Sequence, residues 1–127
     1  MMALGHHYGK GPLSLKTIAD ENGLSEHYLE QLIGPLRNAG LVNSIRGAYG
    51  GYVLARKPED ITTADIIRVL EGPIQPVEIM DDDDPAKREL WIKIRDAVKE
   101  VLESTTLADL IHFESGKYVQ DPEMFYI

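Results

Sequence analysis

At 127 residues and 43% apolar content, the chain is long enough for one folded domain, with room for an appended helix. No apolar run reaches the ~18 residues of a membrane span and the start lacks the charged and apolar regions of a secretory signal, so a cytoplasmic protein is expected. There is no cysteine, which removes disulfides, thiolate metal ligands and redox-sensing thiols. The net charge of −8 is unevenly spread. Residues 1–57 carry six basic residues against four acidic ones, a balance of +2, whereas residues 58–127 carry seven against seventeen, a balance of −10. A basic footprint, if there is one, belongs to the first half, and its modest size calls for two copies acting together on a polyanion.

Met1 to Tyr8 reads as the end of a helix stopped by Gly9 and Gly11-Pro12. Ser14 is a candidate N-cap for a helix through Asn22, with Leu15, Ile18 and Ala19 on one face. Gly23 allows a tight turn, and Ser25 caps a longer helix to Asn38 with Tyr28, Leu29, Leu32, Ile33 and Leu36 in a stripe. Pro35 should kink it or lengthen a local hydrogen bond. Two β-type runs, Leu41–Ile45 and Tyr52–Ala55, then flank a glycine-rich tip carrying Arg46, Gly47 and Tyr49. Helix, turn, helix and a hairpin with a basic tip outline a winged helix. Pro58-Glu59-Asp60 is a turn, and Thr62 with Asp65 forms a capping-box pattern opening a helix from Thr63 to Leu70.

Gly72-Pro73 breaks that helix. The connector from Pro73 to Asp84 ends in four aspartates, which suit the helix start that follows better than a cation loop, because the ligand-loop spacing is missing. Pro85 opens the longest helix, whose Leu90, Trp91, Ile94, Ala97, Val98, Val101 and Leu102 make a broad apolar face. Leu107–Phe113 is one more short helix, and the chain ends Met124-Phe125-Tyr126-Ile127. His6-His7 reads as polar surface, and neither a phosphate loop nor a nucleophile arrangement is present. An enzyme is not expected, nor any cofactor or metal. The fold expected is mainly α with a small β-hairpin wing: a winged helix-turn-helix over residues 1–72, then connector, long dimerisation helix and tail over 73–127.

The stretches Ser25–Leu32, Leu36–Val42 and Arg46-Gly47-Ala48-Tyr49-Gly50-Gly51-Tyr52 resemble the signature of the Rrf-two family, dimeric winged-helix transcription regulators of bacteria. Ile67–Ile74, Ala86–Trp91 and the terminal Met124–Ile127 resemble the branch of that family that represses cysteine metabolism. Cluster-binding members carry three cysteines in the connector, where this chain has neither cysteine nor histidine, so an iron–sulfur sensor of that type is excluded. Members usually begin with a further basic and aromatic segment that opens the first helix and touches DNA backbone, whereas this sequence starts inside that helix.

A helix following a tight turn puts its N-terminal residues at base edges in the major groove, here Ser25, Glu26, His27 and Glu30. Glutamate accepts from cytosine N4 while repelling phosphate, so Glu30 would select sequence at the expense of general affinity. The resemblance implies similar roles for these positions, and for Tyr28, Gln31, Ser44 at the backbone, Arg46 in the minor groove, and Gly47 and Tyr49 of the wing. Tyr28 fits the apolar stripe equally well. Trp91, Ile94, Val98, Val101 and Leu102 are the expected dimer contacts, setting two wings one DNA turn, roughly 34 Å, apart. The resemblance also implies control by cysteine synthase, a pyridoxal-phosphate enzyme acting as co-repressor and released by O-acetylserine. A tail ending in Tyr126-Ile127 would present its carboxylate and apolar side chain to that enzyme's pocket; the same residues could instead pack back on the dimer. The alternatives are a winged-helix protein-interaction module and a family regulator answering to a different effector.

Overall fold

Two serines set the helix-turn-helix. The computed structural model describes residues 1–72 and 84–114. A first helix, α1 (Met2–His6), packs its Leu4 into the core, and burial holds the pKa of the Met1 ammonium below its ordinary value. Ser14 Oγ then accepts from the Thr17 amide at 3.1 Å and starts α2 (Leu15–Asn22). Gly23, at φ +65°, ends it in the left-handed conformation that costs glycine least. Ser25 Oγ accepts from the Tyr28 amide at 3.1 Å and starts α3 (Glu26–Asn38). Leu29, Ile33 and Leu36 face the core with Ile18 and Ala19 of α2, but Tyr28 is 49% exposed and stands outside the stripe. Pro35 lies within an unbroken α3. It cannot donate to the Gln31 carbonyl, and Gly34 before it carries no Cβ to meet the proline ring, which is how the helix passes through.

The hairpin pairs β1 (Val42–Ile45) with β2 (Gly51–Leu54), Val42 opposite Leu54 and Ile45 opposite Gly51. Leu13 adds a one-residue bridge on the far side of β2 that the pattern Gly11-Pro12-Leu13 did not suggest. Its amide donates to the Tyr52 carbonyl at 3.0 Å, and the Tyr52 amide donates back at 2.7 Å. The strand edge is thereby tied to the segment that leads into α2.

A single 3₁₀ turn, Pro58–Asp60, leads to α4 (Thr63–Glu71), whose capping box is complete: the Asp65 amide donates to Thr62 Oγ1 and the Thr62 amide to Asp65 Oδ2, both at 3.0 Å. Asp84 caps α5 (Pro85–Ser104) through the Ala86 amide at 3.2 Å. A second Thr-x-x-Asp pair, Thr106 with Asp109, opens α6 (Leu107–Glu114). The polypeptide returns to the first half here. Leu107 is fully buried in one core with Leu41, Val42 and Ile61, each large buried side chain worth about 1.5–3 kcal/mol. The Leu107 amide donates to the Ile61 carbonyl and the Thr63 amide to the Thr105 carbonyl, both at 2.8 Å. Thr63 Oγ1, itself buried, donates to the carbonyls of Leu102 at 2.6 Å and Thr105 at 3.1 Å. α5 has no fully buried residue; Trp91, Ile94, Val98 and Leu102 are half-buried and Val101 is 61% exposed.

Candidate nucleic-acid interface

The Ser25 cap fixes where the second helix of the motif begins, so its first turn and a half emerges from the turn with the side chains outside the core. Ser25, Glu26, His27, Tyr28, Glu30 and Gln31 are all exposed, while Leu29 between them is buried and anchors the helix. The positive end of the helix dipole lies at this terminus. The Gln31 amide nitrogen lies 3.4 Å from His27 Nε2, one helical turn away, so the two side chains share one polar position on the surface.

The hairpin supplies the other half. Ser44, Arg46, Gly47 and Tyr49 are exposed, Tyr49 at 94%. Gly47 takes φ +115° and Gly51 φ +153°. A Cβ on Gly51 would lie 2.5 Å from the Leu13 carbonyl carbon and 2.9 Å from the Ser14 nitrogen, so the glycine serves close approach of two backbones. Among the described residues, Lys10, Lys16, Arg37, Arg46 and Lys57 form no ion pair, and Arg56 meets Asp65 at 3.9 Å. The cations of the first half are therefore available to an external anion.

The third group of expected residues lies elsewhere. Trp91, Ile94, Val98, Val101 and Leu102 share α5, which leaves the winged helix through its C-terminal attachment at Thr63. Tyr126 and Ile127 lie outside the described residues. The Leu13 bridge and the Ile61–Leu107 attachment escaped the sequence reading. The first has no residue-level signal beyond a leucine after Pro12, but the second was signalled by the repeated Thr-x-x-Asp at Thr106 and Asp109.

No helix among the described residues is long and apolar enough to cross a membrane. No group of three or more histidine, aspartate or glutamate side chains among them could hold a metal ion.

Residues 1–113 match the Rrf2 family, described as an iron-dependent transcriptional regulator. The HTH-type transcriptional regulator CymR of Bacillus subtilis (strain 168) is 67% identical over 127 residues, 100% of this chain and 91% of that protein. Protein rrf2 of Nitratidesulfovibrio vulgaris is 39% identical over 119 residues, covering 87% and 79%. The solved structure of CymR, the global cysteine regulator of B. subtilis, superimposes with a TM-score of 0.83 at 70% identity, covering 88% of this chain and 87% of that one. That likeness makes the three helices and hairpin a winged helix. The iron in the family's description does not carry over as a thiolate-held cluster, because a chain with no cysteine has no soft ligand to offer it. These relatives are regulators rather than enzymes, and the chain belongs to the Rrf2 family of transcriptional regulators.

Proposed function

We propose that this regulator is a sequence-specific repressor that works in the cytoplasm as a dimer on genes of cysteine and sulfur metabolism. The observation that carries the DNA reading is the exposure of all ten candidate contact residues on α3 and the hairpin, with buried Leu29 anchoring the helix between its six. α3 enters the major groove with Ser25, Glu26, His27, Tyr28, Glu30 and Gln31 at base edges or flanking phosphate. Glu30 accepts from cytosine N4 and so discriminates at the expense of general affinity. Ser44, Gly47 and Tyr49 approach the backbone, and Arg46 enters the minor groove, where phosphates on both sides deepen the negative potential. Dimerisation through Trp91, Ile94, Val98, Val101 and Leu102 is supported by an amphipathic helix that buries none of its own residues fully. It gives each wing a partner one DNA turn away. The modest basic balance of one copy makes the second copy a requirement for tight binding.

The metabolic assignment rests on the relative named as a global cysteine regulator. With no thiol to sense redox state, the signal arrives by complex formation with cysteine synthase as co-repressor, which O-acetylserine releases. Tyr126 and Ile127 supply the side chains that the enzyme captures. Operator selection from random DNA, followed by affinity measured against salt, tests the first part. A palindromic site and a steep log–log slope are expected, and weak binding without sequence preference would overturn it. Titration of cysteine synthase with the protein, following pyridoxal-phosphate fluorescence with and without O-acetylserine, tests the second. Saturable binding reversed by O-acetylserine is expected, and its absence would leave a DNA-binding regulator with another effector.

A further inference from the structure

Arg56, Asp65 and Arg68 border a cavity of about 200 Å³ whose apolar wall is Ala39, Leu41 and Val69. The volume lies below the roughly 300–1,000 Å³ of sites that take drug-sized ligands, so the space suits a molecule of a few heavy atoms. Its arginines are incompletely engaged. Asp65 spends Oδ2 on the Thr62 amide of the capping box at 3.0 Å, and Arg56 stands 3.9 Å from that same oxygen, beyond hydrogen-bond range. Arg68, one turn after Asp65 on α4, pairs through Nη2 with Glu103 of α5. A guanidinium offers five donors in a planar fork, so both arginines keep donors to give. With Glu103 counted the four charges balance, so what the site offers an anion is the unspent donors of Arg56, which has no acceptor within hydrogen-bond range, and those of Arg68.

We propose that this cavity binds a small organic carboxylate, held by Arg56 and Arg68 with its apolar end on Ala39 and Val69. Arg68 is the pivot. Its pair with Glu103 is half-exposed on both sides, at 46% and 53%, and exposed pairs of this kind contribute little, so a bidentate carboxylate draws Arg68 away at small cost. The site touches the end of α3 through Ala39 and Leu41, and it competes for the ion pair that joins α4 to α5. An occupant therefore acts on the junction between the recognition helix and the long helix.

The test is an amide-shift titration of the ¹⁵N-labelled full chain with acetate, with glycine, and with chloride at matched ionic strength. Saturable shifts at Leu41, Asp65 and Val69 are expected with the two carboxylates and not with chloride. Tighter binding of glycine than acetate assigns its ammonium to Asp65, and equal binding assigns recognition to the carboxylate alone; both support the site. R68Q should weaken binding about tenfold, the loss of a charge-assisted pair. E103Q frees Arg68 and should tighten it, a gain that damage to the fold cannot imitate. Shifts matched by chloride, or affinities unchanged in both variants, would overturn the proposal. The titration contains no DNA, so its result is separate from that of operator binding.

Discussion

Gly51→Ala tests the wing's construction directly. The new Cβ would meet the Leu13 carbonyl group and the Ser14 nitrogen, 2.5 Å from the carbonyl carbon and 2.9 Å from the nitrogen. Backbone, unlike a side-chain tip, cannot swing aside. Relief requires Leu13 to part from Tyr52, losing the hydrogen bonds at 3.0 and 2.7 Å, together about 1–3 kcal/mol. A non-glycine residue held at φ +153° adds about 1–3 kcal/mol of conformational strain. The total is roughly 2–6 kcal/mol. With an unfolding entropy of about 2.1 cal/mol/K per residue over 127 residues, Tm should fall by roughly 7–22 °C. Gly47→Ala is the matched control, because it sits at φ +115° with nothing within 4 Å and so incurs the strain alone. Thermal unfolding followed by far-UV circular dichroism decides between them. A loss at Gly51 no larger than the loss at Gly47 would show that the close approach to Leu13 contributes nothing, and the argument would fail.

Thr63→Val keeps the shape and removes the hydroxyl that donates to the Leu102 and Thr105 carbonyls; urea denaturation should show about 1–2 kcal/mol lost. Arg46→Ala should weaken binding to selected operator and to random DNA alike, and reduce the slope of log affinity against log salt by about 1, as read by fluorescence anisotropy. Glu30→Gln should do the reverse in kind, raising affinity for random DNA while relaxing preference at one position of the operator by about 1–3 kcal/mol, measured by competition between single-base variants. Val101→Asp puts a charge on a face that is 61% exposed in one copy, so the fold should persist while sedimentation shows the dimer lost.

The helix starts were legible because each rests on a local signal. Ser14, Ser25, Thr62 and Asp84 sit directly before their helices, and a cap is a contact across two or three residues that a sequence displays openly. The exposed first turn of α3 followed from the same cap. Tyr28 was ambiguous at this level, since its spacing places it beside Leu29 and Leu32, and only packing against α2, α4 and β1 decides which side of the stripe the core covers. What was not legible is long-range. The Leu13–Tyr52 bridge joins residues far apart in sequence, and nothing in either residue names the other. The cavity at Arg56 and Arg68 is likewise assembled from α3, the end of the hairpin and α4, each of which reads alone as ordinary solvated surface.

The attachment of α5 has a consequence for how a regulator of this build responds. Along most of its length the helix is covered only in part, so a partner molecule meets it without first having to unpack a core. At its C-terminal end the opposite holds. The Thr63 hydroxyl bonds to the Leu102 and Thr105 carbonyls, the Thr63 amide bonds to Thr105, and Leu107 is fully buried behind Ile61. A helix held at one end and open along its face acts as a lever, because a change in how it packs must be absorbed at the held end. The groups next to that end are α4 and, through the lining shared by Val69 and Ala39, the C-terminal end of α3. The Arg68–Glu103 pair also joins α4 to α5 and is the weaker contact, since both side chains are half-exposed while the Thr63 contacts are part-buried. That pair thus joins the two helices at the surface, the Thr63 contacts join them beneath it, and the wing is tied separately to Leu13.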